Sequence, residues 1–239
     1  MSLPVLIAGD VHGDLERLFA ALAPYPASGW QTVFLGDLVD GGPFGVGALR
    51  YARDRPNTSV LLGNHEVAML WALRDRSTVG YWVTIGGQLH DLQELERDPD
   101  LQEWLRDLPL LLRLEDGSLA QHSDNDNYRA LIDDPAADPV EEVNRMGRLL
   151  VDNGREDLLW EAMSPFGVFR RQPARLASWL KQTGARRVVH GHSRHRGKQP
   201  EAYHEGRAIC FDGGLSRYYG GHPAARRGPA RASVGPLPP

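Results

Sequence analysis

Three short apolar segments near the start of the chain each end in a glycine followed by a polar residue. They cover residues 5–8, 32–35 and 59–62, and the pairs that follow them are Gly9-Asp10, Gly36-Asp37 and Gly63-Asn64. Segments of this length, rich in leucine and β-branched residues, are typical of buried strands. The sequence therefore predicts three strands in the first third of the chain, each with polar side chains at its C-terminal end.

A helical spacing follows these predicted strands. After the first one, apolar residues recur with the period of one buried helix face, at Leu15, Leu18, Phe19 and Leu22. Strands that alternate with helices indicate βαβ units, a parallel sheet and an α/β fold. Asp10 and Asp37 are 27 residues apart, as are Asp37 and Asn64, close to the ~30 residues of one βαβ unit. Because parallel strands end at one sheet edge, we expect the polar clusters to lie side by side.

The rest of the chain combines helices with two hairpins and one more strand. Helices are predicted within residues 77–110 and 139–183, a hairpin over 110–122, a strand over 187–190 and a hairpin over 201–211. From residue 222 the chain is rich in Pro, Ala, Gly and Arg and has no apolar period. We therefore expect one domain over residues 1–221 and a flexible tail over residues 222–239.

Composition excludes several classes of protein. The 239 residues are 41% hydrophobic and 24% charged, which is ordinary globular usage and rules out wholesale disorder, collagen and coiled coil. The net charge of −4 argues against a broad nucleic-acid-binding face. Cys210 is the only cysteine, so neither an intrachain disulfide nor a thiolate cluster is possible. With no signal peptide and no membrane-length apolar run, we expect a cytoplasmic protein without a membrane partner.

Side chains that bind metal ions collect at the predicted strand ends. The candidates are Asp10, His12, Asp37, Asn64, His65, His122 and His192. Carboxylate, imidazole and amide groups without thiolates suit Mn, Fe, Zn, Co or Mg. One ion held by all of them would have no position left for water or substrate. Two ions bridged by a carboxylate would keep open positions, as hydrolysis at a two-metal site requires.

Five motifs in a fixed order make the pattern specific. They are Gly9-Asp10-Val11-His12-Gly13-Asp14, Gly36-Asp37-Leu38-Val39-Asp40, Gly63-Asn64-His65-Glu66, a lone His122 and Gly191-His192-Ser193. In order and spacing the sequence resembles the calcineurin-like metallophosphoesterases, especially the phosphoprotein phosphatase branch with its small bacterial and phage relatives. The match extends over residues 5–215. The resemblance implies a β-sandwich with flanking helices and a binuclear metal site at the strand ends.

The resemblance also implies a role for each residue. Asp10 and His12 would bind the first metal ion, and Asp37 would bridge the two ions. The ligands of the second ion would be Asn64, His122 and His192. His65 resembles the general acid of the family, and Asp40 the carboxylate that orients it. The implied reaction is hydrolysis of a phosphate ester by a metal-bridging hydroxide attacking in line, with Mn as first choice of metal and Fe, Zn, Co or Mg as alternatives.

The sequence also departs from the family pattern. Gly41 stands where the phosphatase branch has a phosphate-binding arginine, and Glu161 follows Trp160 where small relatives have a second one. The first metal also lacks the additional ligand of other branches, because His195 lies three residues beyond His192 instead of two. Trp82, Arg194 and His195 are the candidate substrate-binding residues, and Arg170, Arg171 and Arg217 are further possible replacements for the arginine. Without this arginine, we expect weaker discrimination against phosphodiesters.

Several functions remain open. The substrate could be a phosphoprotein, a small monoester, a dinucleoside polyphosphate or a cyclic nucleotide. A binding module that has lost turnover is a second class, but it would not need the His65 and Asp40 pair. A nucleic-acid end-processing phosphatase is a third class, favoured only by basic residues at Arg194, Arg196, Lys198, Arg226, Arg227 and Arg231. The acidic net charge makes this third class a minority interpretation.

Overall fold

Two β-sheets form the centre of the molecule. The structure is a computed structural model that describes residues 3–220 in full and the backbone of residues 226–227. Its strands are β1 (Val5–Ala8), β2 (Gln31–Phe34), β3 (Thr58–Val60), β4 (Leu111–Arg113), β5 (Ser118–Gln121), β6 (Arg187–His190), β7 (Glu201–Tyr203), β8 (Ala208–Cys210) and β9 (Arg226–Arg227). The strand order is β3-β2-β1-β9 in the first sheet and β4-β5-β6-β8-β7 in the second. β1, β2 and β3 are parallel neighbours, as the sequence predicted.

Helices cover the outer faces of the two sheets. They are α1 (Leu15–Leu22), α2 (Gly45–Asp54), α3 (Asn64–Arg74), α4 (Val79–Thr84), α5 (Leu89–Glu96), α6 (Pro99–Arg106), α7 (Pro139–Asp152), α8 (Glu156–Met163), α9 (Val168–Arg171) and α10 (Pro173–Thr183). Local sequence explains where several of them begin, since aspartate side chains cap α1, α6 and α7 and a proline opens the last two of these. Single 3₁₀ turns lie at Arg76–Thr78, Asn127–Leu131 and Arg217–Tyr219.

The core has an inter-sheet part and a helix-facing part. Apolar side chains of both sheets meet between them at Ile7, Val33, Leu35, Leu61, Leu114, Ala120, Val189 and Phe211. A larger cluster joins the opposite faces to the helices. This arrangement confirms the predicted α/β sandwich with flanking helices.

Some local predictions need correction. Leu18 and Leu22 are buried in α1, but Phe19 is 48% exposed and its ring contacts Tyr51 on α2.

Both predicted hairpins are present as antiparallel pairs, β4 with β5 and β7 with β8. The predicted tail lies outside the described residues except for β9, which pairs antiparallel with β1. Among the described residues, no helix is long and apolar enough to cross a membrane.

Candidate active site

The loops after the strands carry strained backbone where the sequence predicts the site. Seven non-glycine residues among those described have a positive φ, and four of them are predicted site residues: His12, Asp37, Asp40 and His192. Such conformations cost about 1–3 kcal/mol each and persist where the surroundings enforce them. Gly36 also has φ +96°, and a Cβ there would lie 2.6 Å from the Gly63 backbone. The loops after β2 and β3 are therefore in close contact.

Asp37 lies at the centre of the site. Its side chain is 2% exposed, and its Oδ2 atom is 3.4 Å from His122 Nε2 and 3.9 Å from His12 Nε2. His65 Nε2 is 4.0 Å from the same oxygen. Burial favours the neutral acid, but His122 and His65 hold the pKa of Asp37 well below its usual value. Asp37 is therefore an anion in contact with three imidazoles from different loops.

Asp10 and His12 lie on one side of Asp37. Asp10 Oδ2 is 3.9 Å from His12 Nε2, and the two Asp10 oxygens accept the His192 backbone N–H at 3.0 and 3.1 Å. Burial, with the negative charges of Asp212 and Asp37, raises the pKa of Asp10 well above its usual value. An accumulation of buried acids of this kind is typical of a site that binds cations.

Asn64, His122 and His192 lie on the other side. His122 Nε2 is 2.8 Å from Asn64 Oδ1 and 3.2 Å from His192 Nδ1. These residues follow β3, β5 and β6, so strand ends of both sheets meet here. The structure thus brings together all six residues predicted as metal ligands.

The imidazole hydrogen bonds support a cation site. His12 Nδ1 is bonded to Val39 O at 3.1 Å, His122 Nδ1 to Leu35 O at 2.8 Å and His192 Nε2 to Ser164 O at 2.9 Å. A carbonyl oxygen only accepts, so these nitrogens carry the protons and the opposite nitrogens turn lone pairs toward Asp37.

The pKa values also indicate a neutral ring, able to bind a metal ion, for two of the three imidazoles. Burial and neighbouring histidines lower the pKa of His12 to about 3 and that of His192 to about 4, so both rings are neutral as ligands must be. His122 differs, because Asp37 outweighs burial and raises its pKa in the metal-free chain. Lone pairs of His122 and His192 at 3.2 Å need a proton or a cation between them. The donor set therefore fits divalent ions.

His65 and Asp40 form a hydrogen-bonded pair beside this centre. His65 Nδ1 is 2.8 Å from Asp40 Oδ2, and Trp82 Nε1 donates to both Asp40 oxygens at 3.0 Å. Burial opposes the imidazolium, but Asp37 and Asp40 outweigh it and raise the pKa of His65 to about 9. His65 therefore carries a proton at neutral pH in the metal-free chain. His12, Asp37 and His65 could also share an ion by distance alone.

Glu66 organises the site, and the sequence reasoning missed it. Its buried carboxylate accepts the backbone N–H groups of Asp37 (2.7 Å), Leu38 (2.7 Å), Val39 (3.1 Å) and Gly63 (2.9 Å). It thereby joins the loops after β2 and β3. The signal was a glutamate at the third position of α3, which resembles a capping box, but Gly63 lacks the side chain that usually completes that motif.

Asp212 and Tyr219 were also missed. Asp212 follows β8, and burial raises its pKa to about 6. The Tyr219 ring lies 4.7 Å from the His12 ring. Burial, followed by the charges of Asp37 and Asp10, raises the pKa of Tyr219. The sequence signal for Asp212 was the glycine-rich end of another apolar strand, whereas nothing local pointed to Tyr219.

The predicted substrate-binding residues have different positions. Arg194 lies over the Tyr219 ring at 5.0 Å and donates to Tyr219 O at 2.9 Å, close to the metal side of the site. Trp82 is completely buried behind Asp40, so it has no surface for a substrate. His195 accepts the Gly197 N–H at 3.1 Å, and its own backbone N–H donates to Asp212 O at 2.9 Å.

The other candidate arginines are engaged elsewhere. Arg170 forms a two-point pair with Glu201, Arg171 donates to Phe166 O, and Arg217 pairs with Glu16. Gly41 itself has φ +76°, and a Cβ there would lie 3.0 Å from the Tyr218 ring. The ring of Tyr218 therefore fills the space into which an arginine at this position would extend.

Aromatic side chains surround the entrance to the site. Trp160 lies 6.5 Å from His65 between ring centroids, and Tyr81 lies 5.7 Å from Trp160. Phe166 lies 6.4 Å from His192 and is 65% exposed. We call Tyr81, Trp160 and Phe166 the aromatic rim. Such flat apolar faces beside a charged site suit a ligand with both phosphate and aromatic parts.

Comparison with known proteins identifies the family. A family model described as calcineurin-like phosphoesterase matches residues 3–196. A symmetrical bis(5'-nucleosyl)-tetraphosphatase of Actinobacillus pleuropneumoniae is 34% identical over 113 residues, which cover 45% of this chain and 39% of that protein. A protein of the same name from Aromatoleum aromaticum is 36% identical over 128 residues, covering 51% and 44%. This chain belongs to the calcineurin-like phosphoesterase family.

The solved structures support the fold. The cold-active protein-tyrosine phosphatase of a psychrophilic Shewanella species superposes with a TM-score of 0.67 at 18% identity, over 90% of this chain and 72% of that chain. At this identity the likeness concerns the fold alone. The matched part of this chain spans less than half the length of the curated relatives. The family match confirms the family that the five motifs predicted.

Proposed function

We propose that the chain hydrolyses phosphate esters or anhydrides with two divalent metal ions. Asp10 and His12 would hold one ion, and Asp37 would be shared between the two. The second ion would be held by Asn64, His122 and His192. When bound, the ions would neutralise phosphate charge and lower the pKa of a coordinated water. Mn²⁺ is the metal to test first, and we propose a cytoplasmic location.

The observation that carries this proposal is the His65 and Asp40 pair beside the ligand cluster. A site that only bound metal would not need a protonated imidazole with its ring held by a carboxylate. His65 donates a proton to the oxygen that leaves phosphorus, and Asp40 holds the ring through the 2.8 Å hydrogen bond at Nδ1. Trp82 in turn holds Asp40 through its indole N–H. This arrangement favours hydrolysis over a purely regulatory role.

We propose a dinucleoside polyphosphate as the substrate. The matched relatives carry the name bis(5'-nucleosyl)-tetraphosphatase, which suggests the substrate class. The aromatic rim supplies stacking surfaces for nucleobases on both the His65 side and the His192 side. Gly41 in place of an arginine suits a phosphorus that carries one negative charge, as the internal phosphates of such a compound do. Phosphoproteins are less well matched by these features, because their monoesters are dianions without nucleobases, and the net charge of −4 argues against nucleic acids.

The test is a substrate panel with the purified, Mn-loaded chain. It contains diadenosine tetraphosphate, bis(p-nitrophenyl) phosphate, p-nitrophenyl phosphate, mononucleotides and a phosphopeptide. We expect the highest kcat/KM for diadenosine tetraphosphate and a lower value in Phe166→Ala. Stacking on an aromatic ring contributes about 1–3 kcal/mol per base, which corresponds to a loss of about 5- to 150-fold. Faster hydrolysis of the phosphopeptide would contradict the substrate, and no hydrolysis of any compound would contradict the activity.

A further inference from the structure

The turn after β8 places a phenol next to the proposed first metal position. We call residues Ser216–Gly220 the aromatic turn. The Tyr219 ring packs edge to face on His12 at 4.7 Å, with an interplanar angle of 66°. Within the described part of the chain, no group hydrogen bonds the Tyr219 hydroxyl. The described residues therefore leave this proton donor beside His12 without a partner.

The aromatic turn is attached to the loop that carries His12. Ser216 Oγ donates to His12 O at 3.4 Å, and the Arg217 N–H donates to Asp14 Oδ2 at 2.9 Å. Arg17 donates to Leu215 O at 3.0 Å just before the turn. Because these bonds connect the turn to His12 itself and to the start of α1, the position of Tyr219 depends on the same backbone as the position of His12.

Two neighbours support the Tyr219 side chain and backbone. Arg194 lies over the ring at 5.0 Å and donates to Tyr219 O at 2.9 Å, which brings a positive charge behind the phenol. Tyr218 packs on the Tyr219 ring at 4.8 Å and occupies the space beside Gly41. The aromatic turn therefore fills the region where an arginine at position 41 would lie.

We propose that the Tyr219 hydroxyl donates a hydrogen bond to a nonbridging oxygen of the bound phosphoryl group, in place of the missing arginine. This proposal rests on the proposed phosphoester hydrolysis and specifies the substrate class of that site. A phenol is a neutral donor at neutral pH, so it contributes one hydrogen bond without a second positive charge. A monoester dianion needs that second charge more than a diester or an internal phosphate does. The site therefore selects phosphorus centres with a single negative charge.

The chain offers a closely matched pair of variants. Tyr219→Phe removes only the proposed donor, whereas Tyr218→Phe removes an exposed hydroxyl from the adjacent residue. Bis(p-nitrophenyl) phosphate and p-nitrophenyl phosphate share a leaving group. The change in their kcat/KM ratio between wild type and Tyr219→Phe also cancels the contribution of the second aryl group of the diester. We expect the wild-type ratio to favour the diester. A hydrogen bond to a charged group contributes about 1.5–3 kcal/mol, so Tyr219→Phe should lose about 10- to 150-fold on the diester.

Controls separate a binding role from a structural one. Melting temperature and metal content by mass spectrometry should match wild type in both variants, and Tyr218→Phe should stay within about twofold of the wild-type kcat/KM. Inorganic phosphate should inhibit Tyr219→Phe more weakly than wild type. Arg194→Met should lower kcat/KM on the diester by a smaller factor than Tyr219→Phe does, because the Tyr219 ring keeps its hydroxyl but loses its contact with Arg194.

Specific outcomes would overturn the inference. Equal kcat/KM values for Tyr219→Phe and wild type on the diester would remove Tyr219 from the substrate contacts. A wild-type preference for the monoester would contradict the selection for single charge. Both of these results require an active wild-type protein. A wild-type protein that hydrolyses neither compound is a different outcome, and it would contradict the proposed function itself.

Discussion

At the scale of single residues, the site depends on which ring nitrogen of each histidine forms a hydrogen bond within the protein. Backbone carbonyls hold one nitrogen of His12, His122 and His192 and leave the other for the centre. His65 differs because a carboxylate holds its Nδ1 atom. Despite burial, Asp37 and Asp40 raise the pKa of His65, whereas burial and neighbouring histidines keep His12 and His192 neutral. His122 is the exception, because Asp37 outweighs burial and raises its pKa in the metal-free chain. The carboxylate partner at Nδ1 therefore sets the proposed acid apart from the proposed ligands.

The His65→Asn variant tests this distinction. We expect it to keep both metal ions, because it removes a proton donor instead of a ligand. General acid catalysis contributes roughly 10²- to 10⁴-fold, so kcat on alkyl phosphates should fall by about that factor. The loss should be smaller for aryl esters, whose leaving group needs little protonation. Loss of one metal ion from His65→Asn would identify His65 as a ligand, which the distances to His12 and Asp37 also permit.

The pH profile provides a second test of His65. The acid must be protonated to act, so turnover of alkyl esters should fall as pH rises through the pKa of His65. This pKa is about 9 in the metal-free chain, and neighbouring cations would lower it. We therefore expect the descending limb at or below about pH 9 in wild type and none in His65→Asn. An unchanged limb in the variant would assign it to another group.

At the scale of elements, Glu66 couples the loops after β2 and β3 through four backbone hydrogen bonds. Glu66→Ala leaves its four backbone donors without an acceptor in a buried position. Removing such a network should lower the free energy of unfolding by at least about 3 kcal/mol. For a chain of this size the melting temperature should then fall by about 6–12 °C.

Calorimetry in a chelator measures this effect without contributions from metal loss. Glu66→Gln is the matched control, because it keeps the shape of the side chain but only one acceptor oxygen, and it should lose less. Equal melting temperatures for wild type and Glu66→Ala would show that other contacts hold the Asp37 loop.

The loop at Gly41 and the aromatic turn also act as a pair of elements. Gly41→Arg puts a side chain at φ +76° and against the Tyr218 ring. Left-handed backbone at a non-glycine residue costs about 1–2 kcal/mol, so the melting temperature should fall by about 2–8 °C. We expect no gain in monoester kcat/KM, because the ring of Tyr218 blocks the path to the phosphate. Gly41→Ala carries the backbone cost and the Cβ contact with Tyr218 without the rest of the arginine side chain, and it is the control. A stable Gly41→Arg with faster monoester hydrolysis would disprove this interpretation.

The sequence predicted what is encoded locally. Strand ends, hairpins and the clustering of the six ligand candidates could be predicted because short motifs carry them, whereas the role of these six residues as ligands stays a prediction. The prediction that Phe19 lies on a buried helix face was wrong, because the helical period alone does not determine how far neighbouring elements cover that face. Asp212 and Tyr219 reach the site through the packing of the second sheet on the first. The only local signal was the glycine-rich strand end before Asp212, and none pointed to Tyr219. The same limit applies to Trp82, whose bond to Asp40 depends on how α4 packs.

At the scale of the whole molecule, the two sheets meet at the site. Asp10 and Asp37 come from the first sheet, and His122 and His192 come from the second. An ion shared by these residues therefore connects both halves of the sandwich. Because a ligand that binds only the folded state stabilises it, metal at 100 times its Kd should add about 2.7 kcal/mol to the free energy of unfolding.

Asp37→Asn tests this connection, since Asp37 is the residue that contacts His12, His65 and His122. Chelation should lower the melting temperature of wild type by about 5–11 °C. The same treatment should change Asp37→Asn very little, because the neutral amide cannot serve as the shared anionic ligand and the variant should retain little metal. Activity and bound metal should be lost together. Two ions per chain in Asp37→Asn, with a melting temperature that still responds to chelator, would mean that the two sheets hold their metals without a bridge at Asp37.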